Sequence, residues 1–296
     1  MSRVGYTISG WLSHAAEMGA TILSQYAFGS RVLRAWALLL LTILVSVAPV
    51  AGQRGATPAT NVSATSNWWD EAVCYEVFVR SFADSDGDGI GDLLGLIDRL
   101  DYINDGDPNG GDDLGATCIW LMPVFASTSY HGYDVEDYYT IDPDYGTNEE
   151  FTEFITQAHD RGIRVILDLV LNHTSREHPW FQDALANPDS PYRGWYIWAD
   201  EHPGYNGPWG APAWHPSPLG DEFYYGIFWE GMPDLNYRNA EVTAEAEKVS
   251  AFWLNEMGAD GFRLDAIKHL IEDERIQENT PETHEWLRDY RIYLAE

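Results

Sequence analysis

The sequence predicts an α/β protein built on a parallel sheet. Short apolar runs alternate with stretches whose apolar residues recur at helical spacing. A glycine precedes each later run, at Gly115, Gly162 and Gly258. The runs are apolar on both faces, as strands covered by helices on each side must be.

Ala72 to Arg80 reads as the first strand. Residues 93–104 place Leu93, Leu96, Ile97, Leu100 and Ile103 on one helix face. Cys118 to Pro123 is the second strand. Thr147 and Glu150 form a capping box, each side chain satisfying an end amide, with Phe151, Phe154, Ile155 and Ala158 on the face behind it. Gly162 ends that helix and Ile163 to Leu169 is the third strand. Residues 239–257 form a further helix and Ala259 to Ala266 the fourth strand. Pro281 opens a last helix at its first position, where a missing N–H costs nothing. About 60 residues, roughly 174–236, separate the third strand from its helix and hold six of the 13 Trp. That is too long for a loop and reads as a small subdomain.

Composition excludes several classes. Lys plus Arg is 17 against 47 Asp plus Glu, a net charge of −30. No basic surface is on offer to displace counterions, so nucleic acid is not a partner. With 45% hydrophobic residues the chain has the material for a core. Two cysteines, Cys74 and Cys118, are too few for a disulfide scaffold or a Cys-rich zinc domain. They sit on neighbouring predicted strands; two buried thiols are the expectation, with a disulfide as the alternative.

Residues 1–66 carry four Arg against Glu17, a balance of +3, so the other 230 carry −33. Ala35 to Gly52 has no charge and follows Arg31 and Arg34. Its densest apolar part, residues 35–47, has the length of a signal-peptide core rather than of a membrane span. Residues 1–52 are therefore expected to be a signal peptide, or an anchor if uncleaved, which is the only membrane contact foreseen. Either places the body outside the cytoplasm, secreted or anchored. Residues 53–66 read as a linker.

Three groups of residues carry chemistry. Asp84, Asp86, Asp88 and Asp92 stand at positions 1, 3, 5 and 9 of a tight loop. Gly89 is at position 6 and the Ile90 carbonyl at 7, an arrangement that suits Ca²⁺. The bidentate acid at position 12 is missing, since Gly95 stands there. The third strand ends in Asp168, Asn172 and His173. The fourth carries Arg263 and Asp265, two apart and so on one face. Charges on an apolar strand are costly unless paired. They form either a structural ion pair or a nucleophile or stabiliser, Asp265, kept ionised by Arg263. All these groups lie at the C-terminal ends of strands, where (β/α)₈ barrels keep their active sites.

The segments Asp168–His173, Met232–Asn236 (Met-Pro-Asp-Leu-Asn) and Gly261–His269, in this order, are similar to the α-amylase family, family 13 of the glycoside hydrolases. The Met-Pro-Asp-Leu-Asn form resembles the group intermediate between α-amylases and oligo-1,6-glucosidases. The resemblance covers about residues 68–296. It implies the first half of a (β/α)₈ TIM barrel with an inserted B domain after the third strand: barrel at 67–173 and 237–296, B domain at 174–236. It implies Asp265 as nucleophile, Arg263 as its orienting partner, Asp168 as support and His173 as a sugar ligand. By the same resemblance Tyr133 would stack on the sugar beside His131 and Asp134, and Lys268 and His269 would contact the leaving-group side. The resemblance also implies that Asp84, Asp86, Asp88, the Ile90 carbonyl and Asp92 would hold one Ca²⁺, and Asn172, Asp234 and the His269 carbonyl a second.

The expected substrate is an α-glucan or maltooligosaccharide, cleaved with retention. A second carboxyl group is needed as general acid, ~5–5.5 Å from the nucleophile. In the family it follows the fifth strand, and Glu296 falls at the end of a helix instead. The chain is therefore expected to be an N-terminal, inactive portion of an enzyme. Two rivals remain: a membrane-anchored, non-catalytic amylase-like partner, and an α-glucan-binding module that uses the Trp-rich insertion.

Overall fold

The computed structural model describes residues 67–295; the leader and linker lie outside them. Among the described residues, no helix is long and apolar enough to cross a membrane.

The chain opens with β1 (Cys74–Val77), α1 (Leu93–Asp98), α2 (Leu100–Ile103) and β2 (Cys118–Leu121). A short antiparallel pair follows, β3 (Phe125–Ala126) and β4 (Asp137–Ile141). Then come α3 (Asn148–Asp160) and β5 (Arg164–Val170). The insertion holds α4 (Pro179–Ala186), β6 (Trp198–Ala199), β7 (Trp214–Pro216) and β8 (Phe223–Tyr225). After it come α5 (Ala240–Ala251), β9 (Gly261–Asp265) and α6 (Pro281–Leu294).

Four strands form one parallel sheet in the order β1-β2-β5-β9, as a series of βα units requires. β5 is buried from Leu167 onward, which explains why Asp168 is the one charge among its apolar residues after Arg164. The register sets Asp168 opposite Arg263 and Val170 opposite Asp265. Asp260 pins the start of β9. Its carboxylate accepts from the Val165 amide at 2.8 Å, from Arg164 at 2.7 Å and from His159 at 2.7 Å.

Several boundaries differ from expectation. The helix foreseen over 93–104 is two, because Arg99 leaves helical geometry at φ −111° and ψ 7°. The bend lets Leu93, Leu96, Leu100 and Ile103 all be buried. The first strand is shorter, since the chain turns into a 3₁₀ helix at Val79–Ser81. The capping box at Thr147 and Glu150 is present in both directions. α5 passes into a π-helical turn at Phe252–Glu256. In that turn Trp253 is fully buried, its indole N–H donating to the Tyr138 carbonyl at 2.7 Å.

Cys74 and Cys118 form a disulfide, which corrects the expectation of two buried thiols. They face each other across the β1–β2 register with Cα atoms 4.2 Å apart. Only Cys118 is buried; Cys74 is exposed.

The insertion has its own three-stranded antiparallel sheet, in the order β6-β8-β7. α4 begins with Pro179 and is capped by His178, whose Nδ1 accepts from the Trp180 amide at 3.1 Å. The two ends of the insertion are bridged to each other, His173 to Asp234. The Thr174 amide donates to the Pro233 carbonyl at 3.2 Å and the Leu235 amide to the Asn172 carbonyl at 2.9 Å. Two phenols close the same junction. Tyr138 donates to the Val170 and His173 carbonyls at 2.8 Å each, and Tyr237 to that of Leu171 at 2.6 Å.

Candidate active site

Arg263 lies between two carboxylates. One guanidinium nitrogen donates to both Asp168 oxygens, at 3.0 and 3.1 Å, and also to Asp265 Oδ1. Strand alternation puts Arg263 and Asp265 on one face, and the parallel register supplies Asp168 from β5. Asp168 is 1% exposed, and the Tyr133 hydroxyl donates to it at 3.0 Å. Burial pushes its carboxyl up to about 6 against the pull of Arg263, so it is ionised at neutral pH. The guanidinium also lies 5.1 Å from the Trp120 ring centre.

Tyr133 belongs to a loop tied down by its own polar groups. Asp134 accepts from the hydroxyls of Ser127 and Ser129, and His131 Nδ1 accepts from the Tyr133 amide at 3.1 Å. His131 is exposed, whereas Asp134 is buried. His173 is 1% exposed and lies beneath this loop. Its Nε2 is 3.0 Å from the Tyr133 carbonyl, which can only accept, so the proton sits on Nε2. Asn172 Nδ2, 3.4 Å from Nδ1, donates to it. Burial pushes His173 down to about 4, leaving it neutral. Both ring nitrogens are thus occupied. In this structure His173 positions Tyr133 from below, where the resemblance implies a direct sugar contact.

Lys268 pairs with Glu278 at 2.5 Å, and both are exposed. His269 is buried, and its Nδ1 donates to the Gln277 carbonyl at 2.6 Å. Its Nε2 is therefore an acceptor, and it has no partner. Burial lowers its basicity.

In the loop after β1, the carboxylates of Asp84, Asp86 and Asp88 bring oxygens within 4.8 Å of one another. Gly89 has φ +95°, a left-handed conformation in which a side chain would be strained, so the sixth position needs glycine. Backbone amides of Gly87 and Gly89 hold the Asp84 carboxyl below its usual range. The structure does not bring Asp92 into the cluster. It caps α1, accepting from the Gly95 amide at 2.7 Å and the Ser85 amide at 2.8 Å. The Ile90 amide donates to Asp88 at 2.7 Å.

The second proposed cation site is buried. Asn172 and Asp234 are each 1% exposed, and Asn172 Oδ1 and Asp234 Oδ2 have no partner. A second acid joins Asp234: Glu272 is buried with Oε1 equally unpaired. Burial, and then the charge of Asp234, push Glu272 well above the usual carboxylate range. Unpaired buried carboxyl oxygens are costly, and a hard divalent cation satisfies them. The donor set fits Ca²⁺. Glu272 was not foreseen from the sequence; the one signal was an acid directly after the apolar pair Leu270–Ile271.

Residues 76–296 match the family model described as alpha amylase, catalytic domain. Alpha-amylase 3 of Dictyoglomus thermophilum is 49% identical over 227 residues, which is 77% of this chain and 41% of that protein. An oligo-1,6-glucosidase of Heyndrickxia coagulans is 41% identical over 209 residues, covering 68% of this chain and 36% of that one. The crystal structure of alpha-amylase from H. orenii superposes with a TM-score of 0.68 at 50% identity, over 75% of this chain and 44% of its own. The chain thus spans about two fifths of the curated relatives it matches, and its parallel sheet is the N-terminal part of their barrel.

Proposed function

Because the chain belongs to the alpha-amylase catalytic-domain family, we propose that the protein carrying it cleaves α-glucans and maltooligosaccharides by retaining double displacement. The observation that carries this reading is the Asp168–Arg263–Asp265 arrangement at the C-terminal ends of β5 and β9. Asp265 attacks the anomeric carbon, the glycosidic C–O bond breaks, and the leaving oxygen takes a proton from a general acid. Water then attacks the glycosyl ester, giving a proton back to the deprotonated acid, and Asp265 leaves as carboxylate. Asp168 is held by Arg263 and Tyr133 and is unsuited to be the acid. The acid is assigned to none of the described residues. Tyr133, half-buried and fixed by Asp168, offers its ring to the reacting sugar. The intact charge arrangement favours an enzyme over a non-catalytic partner or a binding module.

Calcium belongs to the same proposal. Asp84, Asp86, Asp88 and the Ile90 carbonyl would hold one ion, and Asp92, which caps α1, lies outside that set. Asn172, Asp234, Glu272 and the His269 carbonyl would hold the other, its role being to neutralise buried acid between barrel and insertion. EDTA is expected to lower the melting temperature by roughly 5–10 °C, with calcium restoring it. Asp88→Ala and Asp234→Asn should each remove part of that gain. A melting temperature indifferent to EDTA would refute both sites.

A location outside the cytoplasm is supported by the Cys74–Cys118 disulfide, since such bonds persist in oxidising compartments. Protein recovered from the cell exterior should bind a thiol reagent only after reduction. Reduction should cost about 2–4 kcal/mol of stability. Failure to find the protein outside the cell would overturn this location, and free thiols in freshly recovered protein would overturn the disulfide.

A further inference from the structure

Six tryptophans lie in the insertion, and the structure sorts them. Trp195 and Trp214 are buried. Trp180 packs on Tyr138 and Trp195, and Trp198 lies under the Arg193 guanidinium and parallel to Phe181. Trp229 is exposed, with its ring folded against Gly231. Trp209 differs from all of these. It is 58% exposed, and its ring contacts run only toward the candidate active site.

One side of Trp209 stacks on Phe228, with centres 5.4 Å apart and planes 28° apart. Its ring also meets His269 edge to face at 5.5 Å. Phe228 in turn packs against His173 at 5.1 Å and His269 at 6.0 Å. His173 carries the Tyr133 backbone through its Nε2 hydrogen bond. An aromatic series therefore runs from His173, which carries the Tyr133 backbone, to an exposed indole. The indole is held on a tied loop. The Gly207 amide donates to the Ala211 carbonyl at 2.8 Å, and Asn206 Nδ2 to the Gly210 carbonyl at 3.1 Å. A large apolar face kept in water by a rigid loop is costly unless something covers it, and sugar rings have a flat face of C–H groups that does so.

We propose that Trp209, backed by Phe228, is the platform for a sugar unit of the α-glucan flanking the one that reacts at Asp265. The proposal rests on the glycosidase reading above and adds a determinant of chain-length preference. Phe228 sets the tilt of the indole, and Trp209 makes the contact.

The test uses two substrates on the full-length protein. Maltotetraose has flanking sugars; α-glucosyl fluoride has none. Trp209→Ala should lower kcat/KM for maltotetraose about tenfold, mainly through KM, by losing the burial of one sugar face. Trp209→Phe, which keeps an aromatic face, should recover to within about threefold. Hydrolysis of α-glucosyl fluoride should stay within about twofold of the parent. Equal losses on both substrates, or none on maltotetraose, overturn the proposal. If the parent hydrolyses neither, the glycosidase reading falls and calorimetry decides the platform. Maltotetraose binding weakened about tenfold in Trp209→Ala then upholds it, and unchanged binding overturns it.

Discussion

Asp265→Ala in the full-length protein is expected to lower kcat on maltooligosaccharides by roughly four orders of magnitude or more, because the covalent route is lost. The fold should survive. Asp265 is only partly buried, and Arg263 keeps its two contacts to Asp168. A melting temperature near that of the parent therefore separates lost chemistry from lost structure. Azide should restore part of the rate by occupying the vacated space and attacking the anomeric carbon from the same side. The product would be a β-glycosyl azide. An α-azide, or activity near that of the parent, would remove Asp265 from the nucleophile's role.

Arg263→Leu is expected to be the most destabilising single change at the site. It leaves Asp168, 1% exposed, without its cation, and an uncompensated buried charge costs about 3–5 kcal/mol. The pH dependence identifies the cause. Burial already raises the Asp168 carboxyl to about 6, above its unfolded value, so its ionisation opposes folding as pH rises through that range. Without Arg263 the penalty is larger at neutral pH and shrinks as the solution approaches pH 5. Thermal melts of the variant and parent should converge there. The double variant Arg263→Leu, Asp168→Leu should regain most of the loss at pH 7. A deficit independent of pH would place the damage in packing instead.

The charged residues on strands were legible from the sequence because an apolar run tolerates few charges, and period two fixes which of them share a face. Asp168 comes from another strand, and only the parallel register brings it to Arg263. The disulfide shows the same limit. That β1 and β2 are neighbours could be read, but Cys74 meets Cys118 only in the observed register, and a slip of one residue turns the side chains to opposite faces. Glu272 was hidden for a different reason. It follows a turn in which Ala266 has φ 51° and a 3₁₀ helix spans Ile267–His269, so neither strand nor helix periodicity reports its burial. Composition flagged the tryptophans of the insertion but could not sort Trp209 from Trp214. One sits at a loop tip and the other on β7, a distinction of tertiary packing.

The bridge between His173 and Asp234 makes the insertion an excursion that leaves and re-enters at one point. A segment with adjoining ends can lengthen or shorten with little strain on its host, since closure entropy grows only slowly with loop length. The insertion is therefore an exchangeable cassette, in which new aromatic surfaces can be tried over a fixed set of charges. Two tyrosines, Tyr138 and Tyr237, hold the seam on the host side. Any transplant that keeps those two phenols and the paired backbone of residues 172–174 and 233–235 inherits a ready-made joint.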